Sequence, residues 1–153
     1  MIIRGDDLSG PEIVALLRHH LDEAHRNSPP GSVYAFDIER LKAPDVTFVS
    51  AWDDDALLGC GALKQLEAGR GEIKSMRTHP DRLRRGAGAA ILDHLIAEAQ
   101  ARGYRRLSLE TGSGPAYEAA LALYRRRGFV AGEAFGGYER TDFNQFFHLD
   151  LHP

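Results

Sequence analysis

The stretch HPDRLRRGAGAAILDHL, residues 79–95, sets Arg82, Arg84, Arg85, Gly86 and Gly88 directly before an apolar helical repeat. The first N–H groups of a helix have no intrahelical partner and lie at the positive end of its dipole, so they attract an anion. Gly86 and Gly88 remove side chains where a phosphate would have to approach the backbone, and the arginines add positive charge. The arrangement suits a pyrophosphate. By residue type alone it is equally a solvated cationic turn with glycines that permit a tight loop. The Gly-Lys-Ser/Thr ending of a Walker loop is absent, and Ile91 stands where Gly-x-Gly-x-x-Gly requires its last glycine, so ATP and dinucleotide readings lose ground.

Downstream, Ile91, Leu92, Leu95, Ile96 and Ala99 form the buried stripe of a helix that Gly103 ends. RRLSLETG (105–112) then alternates Leu107, Leu109 and Thr111 against Ser108 and Glu110, a strand pattern. A helix over about Pro115–Arg127 presents Tyr117, Leu121 and Tyr124 on one face and closes at Gly128. Final strands are expected in FVAGEAF (129–135) and QFFHLDL (145–151).

Upstream, MIIR reads as a short strand and Pro11–Arg26 as a helix with Ile13, Leu16, Leu17, Leu21 and Ala24 inward. NSPPGS breaks that helix, and residues 31–44 carry no firm assignment. DVTFVSAW, ALLGCGALKQL and GEIKSMRT read as three consecutive antiparallel strands, the first two joined by an acidic turn. Strand, helix and strand around the Gly-rich segment require a parallel crossover in an otherwise antiparallel sheet.

The chain has 153 residues, which predicts a single domain over 1–153. With 19 Lys plus Arg against 22 Asp plus Glu, the net charge of −3 provides no general basic field for nucleic acid, so any anion site must be local. Cys60 is the one cysteine, no apolar run reaches the length of a membrane span, and no signal-peptide pattern opens the chain; a cytoplasmic setting away from the membrane is expected.

MRTHPDRLRRGAGAAILDHLIAEAQARGYRRLSLETG, followed by ALALYRRRGF, resembles the GNAT superfamily of acyl-CoA-dependent N-acetyltransferases. The likeness implies an α/β fold with a central mixed, mostly antiparallel sheet of six or seven strands flanked by helices. The family's phosphate loop, Gln/Arg-x-x-Gly-x-Gly/Ala, falls here on Leu83 to Gly88, with Leu83 departing from the usual first residue; a second register, from Arg85 to Ala90, fits less well. The resemblance implies that the amides of Arg84, Arg85, Gly86, Ala87, Gly88 and Ala89 hold the pyrophosphate of acetyl-CoA. It also implies that Met76, Arg77 and Thr78 run beside the pantetheine arm by backbone pairing, as an added strand would. The cosubstrate is then acetyl-CoA, with no metal.

Acetyl transfer to an amine needs a neutral nucleophilic nitrogen, a polarised thioester and a proton or hydrogen bond for the leaving thiolate. By the resemblance, Tyr124 serves the thiolate. Glu72 is ranked first as general base and Glu110 second, or as contact to the substrate ammonium. In an ideal strand Glu72, Lys74, Met76 and Thr78 share a face. Acceptor selection is expected from HRNSPPGSVYAF and FGGYERTDFNQFF, with Tyr138, Asp142 and Asn144 as substrate-binding candidates. The seven histidines match no ligand motif, and Cys60 in LLGCGAL reads as a buried small hydrophobe rather than an acyl carrier. The expected partner is a small-molecule or peptide amine, and the family allows a homodimer. A non-catalytic acyl-CoA sensor or partner-binding module is the alternative.

Overall fold

The structure, a computed structural model, describes residues 1–28 and 38–152. In chain order its elements are β1 (Ile2–Gly5), α1 (Pro11–Arg26), α2 (Ile38–Leu41), β2 (Val46–Asp53), β3 (Ala56–Gln65), β4 (Arg70–Thr78), α3 (Ala87–Ala101), β5 (Arg106–Thr111), α4 (Glu118–Arg126), β6 (Val130–Ala131) and β7 (Gln145–Asp150). Short 3-10 turns at Pro80–Arg82 and Pro115–Tyr117 precede α3 and α4. The strands form one mixed sheet in the order β1-β2-β3-β4-β5-β7-β6. Only the β4–β5 pairing is parallel among these neighbours.

Helices cover both faces of the sheet. On one, Ile91, Leu92 and Leu95 of α3 and Leu121 and Tyr124 of α4 pack on Leu63, Ile73, Leu107, Leu109 and Phe147. On the other, Ile13, Leu16 and Leu17 of α1 pack on Phe48, Leu57, Cys60 and Ala62. Burying each large apolar side chain is worth roughly 1.5–3 kcal/mol, and truncating fully buried Leu95 to alanine would cost about 2–5 kcal/mol. Gly61 admits α3 this close: a Cβ there would lie 2.6 Å from Met76 Sδ and 2.7 Å from Ile91 Cγ2.

Two features of β4 position the site. Its ladder with β5 runs through Arg70↔Arg106, Gly71↔Leu107 and Glu72↔Ser108 and then stops, so the two strands part. Opposite β3, the register slips between Cys60↔Arg77 and Ala62↔Lys74, and Ser75 takes φ +54°, a bulge. A bulge adds a residue to one strand, bends it and reverses the alternation beyond it. The ideal-strand expectation therefore fails: Glu72 and Lys74 lie on the α1 face, Met76 joins Ile73 on the α3 face, and Arg77, paired with Cys60, returns to the α1 face.

Two further expectations are corrected. FVAGEAF supplies only the two-residue β6. After it, Gly132 N–H still bonds Phe146 O at 3.0 Å, but the next carbonyl, that of Glu133, is held by the His148 ring at 2.7 Å instead of a ladder. The helix expected over 115–127 is split, because Pro115–Tyr117 winds as a 3-10 turn after Gly114 (φ +109°) and α4 starts at Glu118.

Candidate functional site

Between Thr78 and α3 the chain makes a bend with two left-handed residues, Arg84 (φ +64°) and Gly86 (φ +81°). Gly86 caps α3, no side chain satisfies the helix start, and the first helical hydrogen bond, Ala90 N–H to Gly86 O, is 3.0 Å long. The amides of Ala87, Gly88 and Ala89 thus precede the first turn's internal bonding. Arg84, Arg85 and Gly86 are exposed. Leu83 is 59% exposed, so the departure from the family's first position puts no side chain inside the bend. Arg82 donates to Leu57 O at 3.0 Å and ties the bend to β3. A backbone cradle with flanking cations and no competing carboxylate in the first helical turn fits a diphosphate.

Where β4 and β5 part, a cleft of about 200 Å³ opens through the sheet. Tyr124, Ala120 and Tyr117 border it from the α4 side; His20, Arg77 and Tyr138 border it from the α1 side, with Glu72, Lys74 and Glu110. Met76 and Thr111 line it as well.

Tyr124 is 6% exposed, and burial alone pushes its phenol up to about 12. It stays protonated at neutral pH and is a hydrogen-bond donor. Its ring packs edge-on against Phe129 at 5.9 Å between centroids.

Glu72 is almost fully buried. Its Oε2 accepts from Tyr138 OH at 2.6 Å and from Lys74 Nζ at 3.1 Å, while Lys74 also donates to Tyr138 OH at 2.7 Å. Glu110, on the same face of β5, is different. Burial raises its carboxyl to about 7, against the opposing pull of the Lys74 charge and an Asn144 hydrogen bond, and the nearby Glu72 charge adds to the rise. Of the two carboxylates, Glu110 is poised to take up and release a proton near neutrality.

The remaining sequence candidates separate. Tyr138 stands in the cleft. Asn144 is buried, with Oδ1 accepting from Thr141 N–H at 2.8 Å and Nδ2 donating to Glu139 O at 2.7 Å, so it shapes the turn that carries Tyr138. Asp142 is exposed and does not border the cleft. Residues 29–36 of the other stretch expected to select the acceptor lie outside the described residues. Cys60 is fully buried, its thiol pushed up to about 12 by burial, and it donates to Ser75 O at 3.4 Å behind the bulge, a structural use without nucleophilic character. No cluster of metal-ligating side chains occurs among the described residues.

The sequence reading missed the side chains of Lys74, Arg77 and His20. Each lies on the α1 face of the cleft, and for the first two the bulge at Ser75, invisible in the sequence, brings them to one side.

Three comparisons bear on this arrangement. The family model for the acetyltransferase (GNAT) family matches residues 13–129. An uncharacterized N-acetyltransferase of Bacillus subtilis (strain 168), YsnE, is 49% identical over 138 residues, covering 90% of this chain and 91% of its own. Another uncharacterized N-acetyltransferase, YedL of Escherichia coli (strain K12), is 43% identical over 149 residues, 97% of this chain and 94% of its own. In fold, the chain is similar to an aminoglycoside 6'-N-acetyltransferase crystallised with coenzyme A, at a TM-score of 0.72 and 18% identity over 100% of this chain and 98% of that one. With a matching family model over residues 13–129, close relatives named as N-acetyltransferases and the parted-strand cleft, this chain belongs to the GNAT family of acyl-CoA-dependent N-acetyltransferases.

Proposed function

We propose that the chain is one N-acetyltransferase domain that moves the acetyl group of acetyl-CoA directly onto the primary amine of a small molecule or peptide, within the cytoplasm. The observation that carries this reading is the cleft through the sheet, with a protonated phenol, Tyr124, on one side and a carboxyl poised near neutrality, Glu110, on the other.

The amides of Arg84 to Ala89 would hold the diphosphate, and the parted backbone of Met76 to Thr78, no longer paired to β5, offers its edge to the pantetheine arm. Bound there, acetyl-CoA supplies the thioester whose acetyl group is transferred. Glu110 takes the proton of the acceptor ammonium, which makes the nitrogen a nucleophile; its shifted carboxyl holds that proton far better than an ordinary carboxylate. Tyr124 donates a hydrogen bond to the departing sulfur. A phenol near 12 is a weaker acid than a thiol of about 8.5, so hydrogen bonding, not full proton release, is its contribution. Glu72, engaged by Tyr138 and Lys74, is a positioning residue that holds the 138 loop against β4.

Thiol release from acetyl-CoA against a panel of amines tests this reading, with Tyr124→Phe as the control. Turnover that the variant largely loses supports it. Coenzyme A binding without turnover of any amine would favour the acyl-CoA sensor instead.

A further inference from the structure

The α1 side of the cleft contains a cation, Arg77, that forms no direct ion pair with a carboxylate among the described residues. Arg77 reaches His19 of α1, donating from Nη2 to Nε2 at 2.9 Å, and its Nε is buried with no partner. No carboxylate lies within ion-pair distance of this guanidinium among the described residues. Glu23 of α1, which also borders the cleft and feels the Arg77 charge, has its carboxylate engaged by Arg26 and Asn27. Next to Arg77, His20 borders the same cleft with its Nδ1 buried and unpaired. Burial, with the Arg77 charge second, lowers this imidazole to about 4, so it is neutral at pH 7 and has a ring N–H to donate. A half-buried guanidinium with an unpartnered Nε, next to an imidazole with an unpartnered Nδ1, leaves buried polar atoms that an anion would complete.

The bulge at Ser75 explains why the pair is where it is. It returns Arg77 to the face of Glu72 and Lys74, the face from which Glu110 also projects, and away from Met76. Arg77 and His20 therefore border the cleft on the side of Glu110, the base of the proposed mechanism. The cleft, at about 200 Å³, has room for a compact acceptor.

We infer that the acceptor of this site is a small amine that also bears a carboxylate, such as an amino acid, with the carboxylate on Arg77 and His20 and the amine directed at Glu110. The inference rests on the acetyl-transfer reading and names its substrate class. A carboxylate bound to an arginine in an enclosed site is a charge-assisted contact, and its loss weakens recognition by about ten- to a hundredfold.

The test compares alanine, serine, phenylalanine and glutamate, each against its own carboxamide, as acceptors in the thiol-release assay, with phosphoethanolamine as a phosphate-bearing amine. Wild-type protein is expected to favour at least one acid over its carboxamide tenfold or more in kcat/KM. That ratio falls to near one in Arg77→Met and partly returns in Arg77→Lys. Equal use of acid and carboxamide throughout, an unchanged ratio in Arg77→Met, or preference for phosphoethanolamine over every amino acid would overturn the inference. Calorimetric titration of the same pairs into protein saturated with coenzyme A reads the preference without turnover: tighter binding of the acid supports it, and no difference refutes it. Binding preference without turnover of any amine would count against the acetyl-transfer reading and leave the carboxylate pocket standing. If Arg77→Met does not fold, the wild-type ratio alone decides.

Discussion

Tyr138 donates its hydroxyl to Oε2 of Glu72 across 2.6 Å, joining the loop before β7 to the middle of β4 although 66 positions separate them. Lys74 closes the triangle, 3.1 Å from the same oxygen and 2.7 Å from the phenol. Removing the hydroxyl in Tyr138→Phe leaves two buried charged groups each short of a hydrogen bond, which costs about 1.5–3 kcal/mol and lowers Tm by roughly 4–8 °C. Glu72→Leu removes the carboxylate beside a buried ammonium and is expected to cost more, about 3–5 kcal/mol. Thermal denaturation of both variants checks the order; equal or reversed losses would show that the triangle is not a structural unit.

In the proposed mechanism, protonation of Glu110 sets the acid limb of the pH–rate profile. Its carboxyl sits at about 7, and only the deprotonated form accepts the amine proton. Hence kcat/KM rises about tenfold per pH unit as pH approaches 7 from below and levels off above it. In Glu110→Gln that limb disappears, and kcat/KM at pH 8 falls by about 10²–10⁴-fold. Glu72→Gln, by contrast, keeps the limb and moves its midpoint slightly down, since the Glu72 charge is the smallest contributor to the rise. A profile whose midpoint follows Glu72 and ignores Glu110 would return the base to Glu72.

Tyr124→Phe removes one hydroxyl from the cleft and keeps the ring that packs on Phe129. Loss of a hydrogen bond to developing negative charge on sulfur is expected to lower kcat by about ten- to a hundredfold. The KM for acetyl-CoA should change less than threefold, since in the proposed mechanism the phenol acts on the departing group and not on the diphosphate. Steady-state kinetics at saturating amine separates the two constants.

Much of this fold was legible in the sequence. The stripes Ile13-Leu16-Leu17 and Ile91-Leu92-Leu95 repeat at helical spacing, and the three runs from Val46 to Thr78 are set apart by turn residues, Asp54 with φ +51° and Gly69 with φ +78°. The bend before α3 is legible because it is local: glycines, cations and a helix start adjoin one another in the chain. The interior of the cleft was less so. Ser75 is not a residue type that announces positive φ, and the bulge it forms reverses which side chains of β4 share a face. Glu72 and half-buried Glu110 are equally plain glutamates in a strand; their difference arises from burial and from Lys74, Tyr138 and Asn144, the last two contributed by a distant segment. FVAGEAF has the composition of a strand, but a histidine ring takes the bond that would have extended β6.

The central claim is that the bend before α3 holds the diphosphate by its backbone, and two glycines on α3 test it most directly. Gly86 (φ +81°) and Gly103 (φ +77°) stand just outside opposite ends of the helix, both left-handed, and a Cβ on either meets nothing within 4 Å. Alanine at either position therefore costs a similar 1–2 kcal/mol or so of backbone strain, while only at Gly86 does the added methyl enter the proposed diphosphate cradle. Calorimetric titration of coenzyme A into the two variants is predicted to show affinity reduced tenfold or more in Gly86→Ala and unchanged in Gly103→Ala. Wild-type affinity in both, or the same loss in both, would contradict the assignment of that bend.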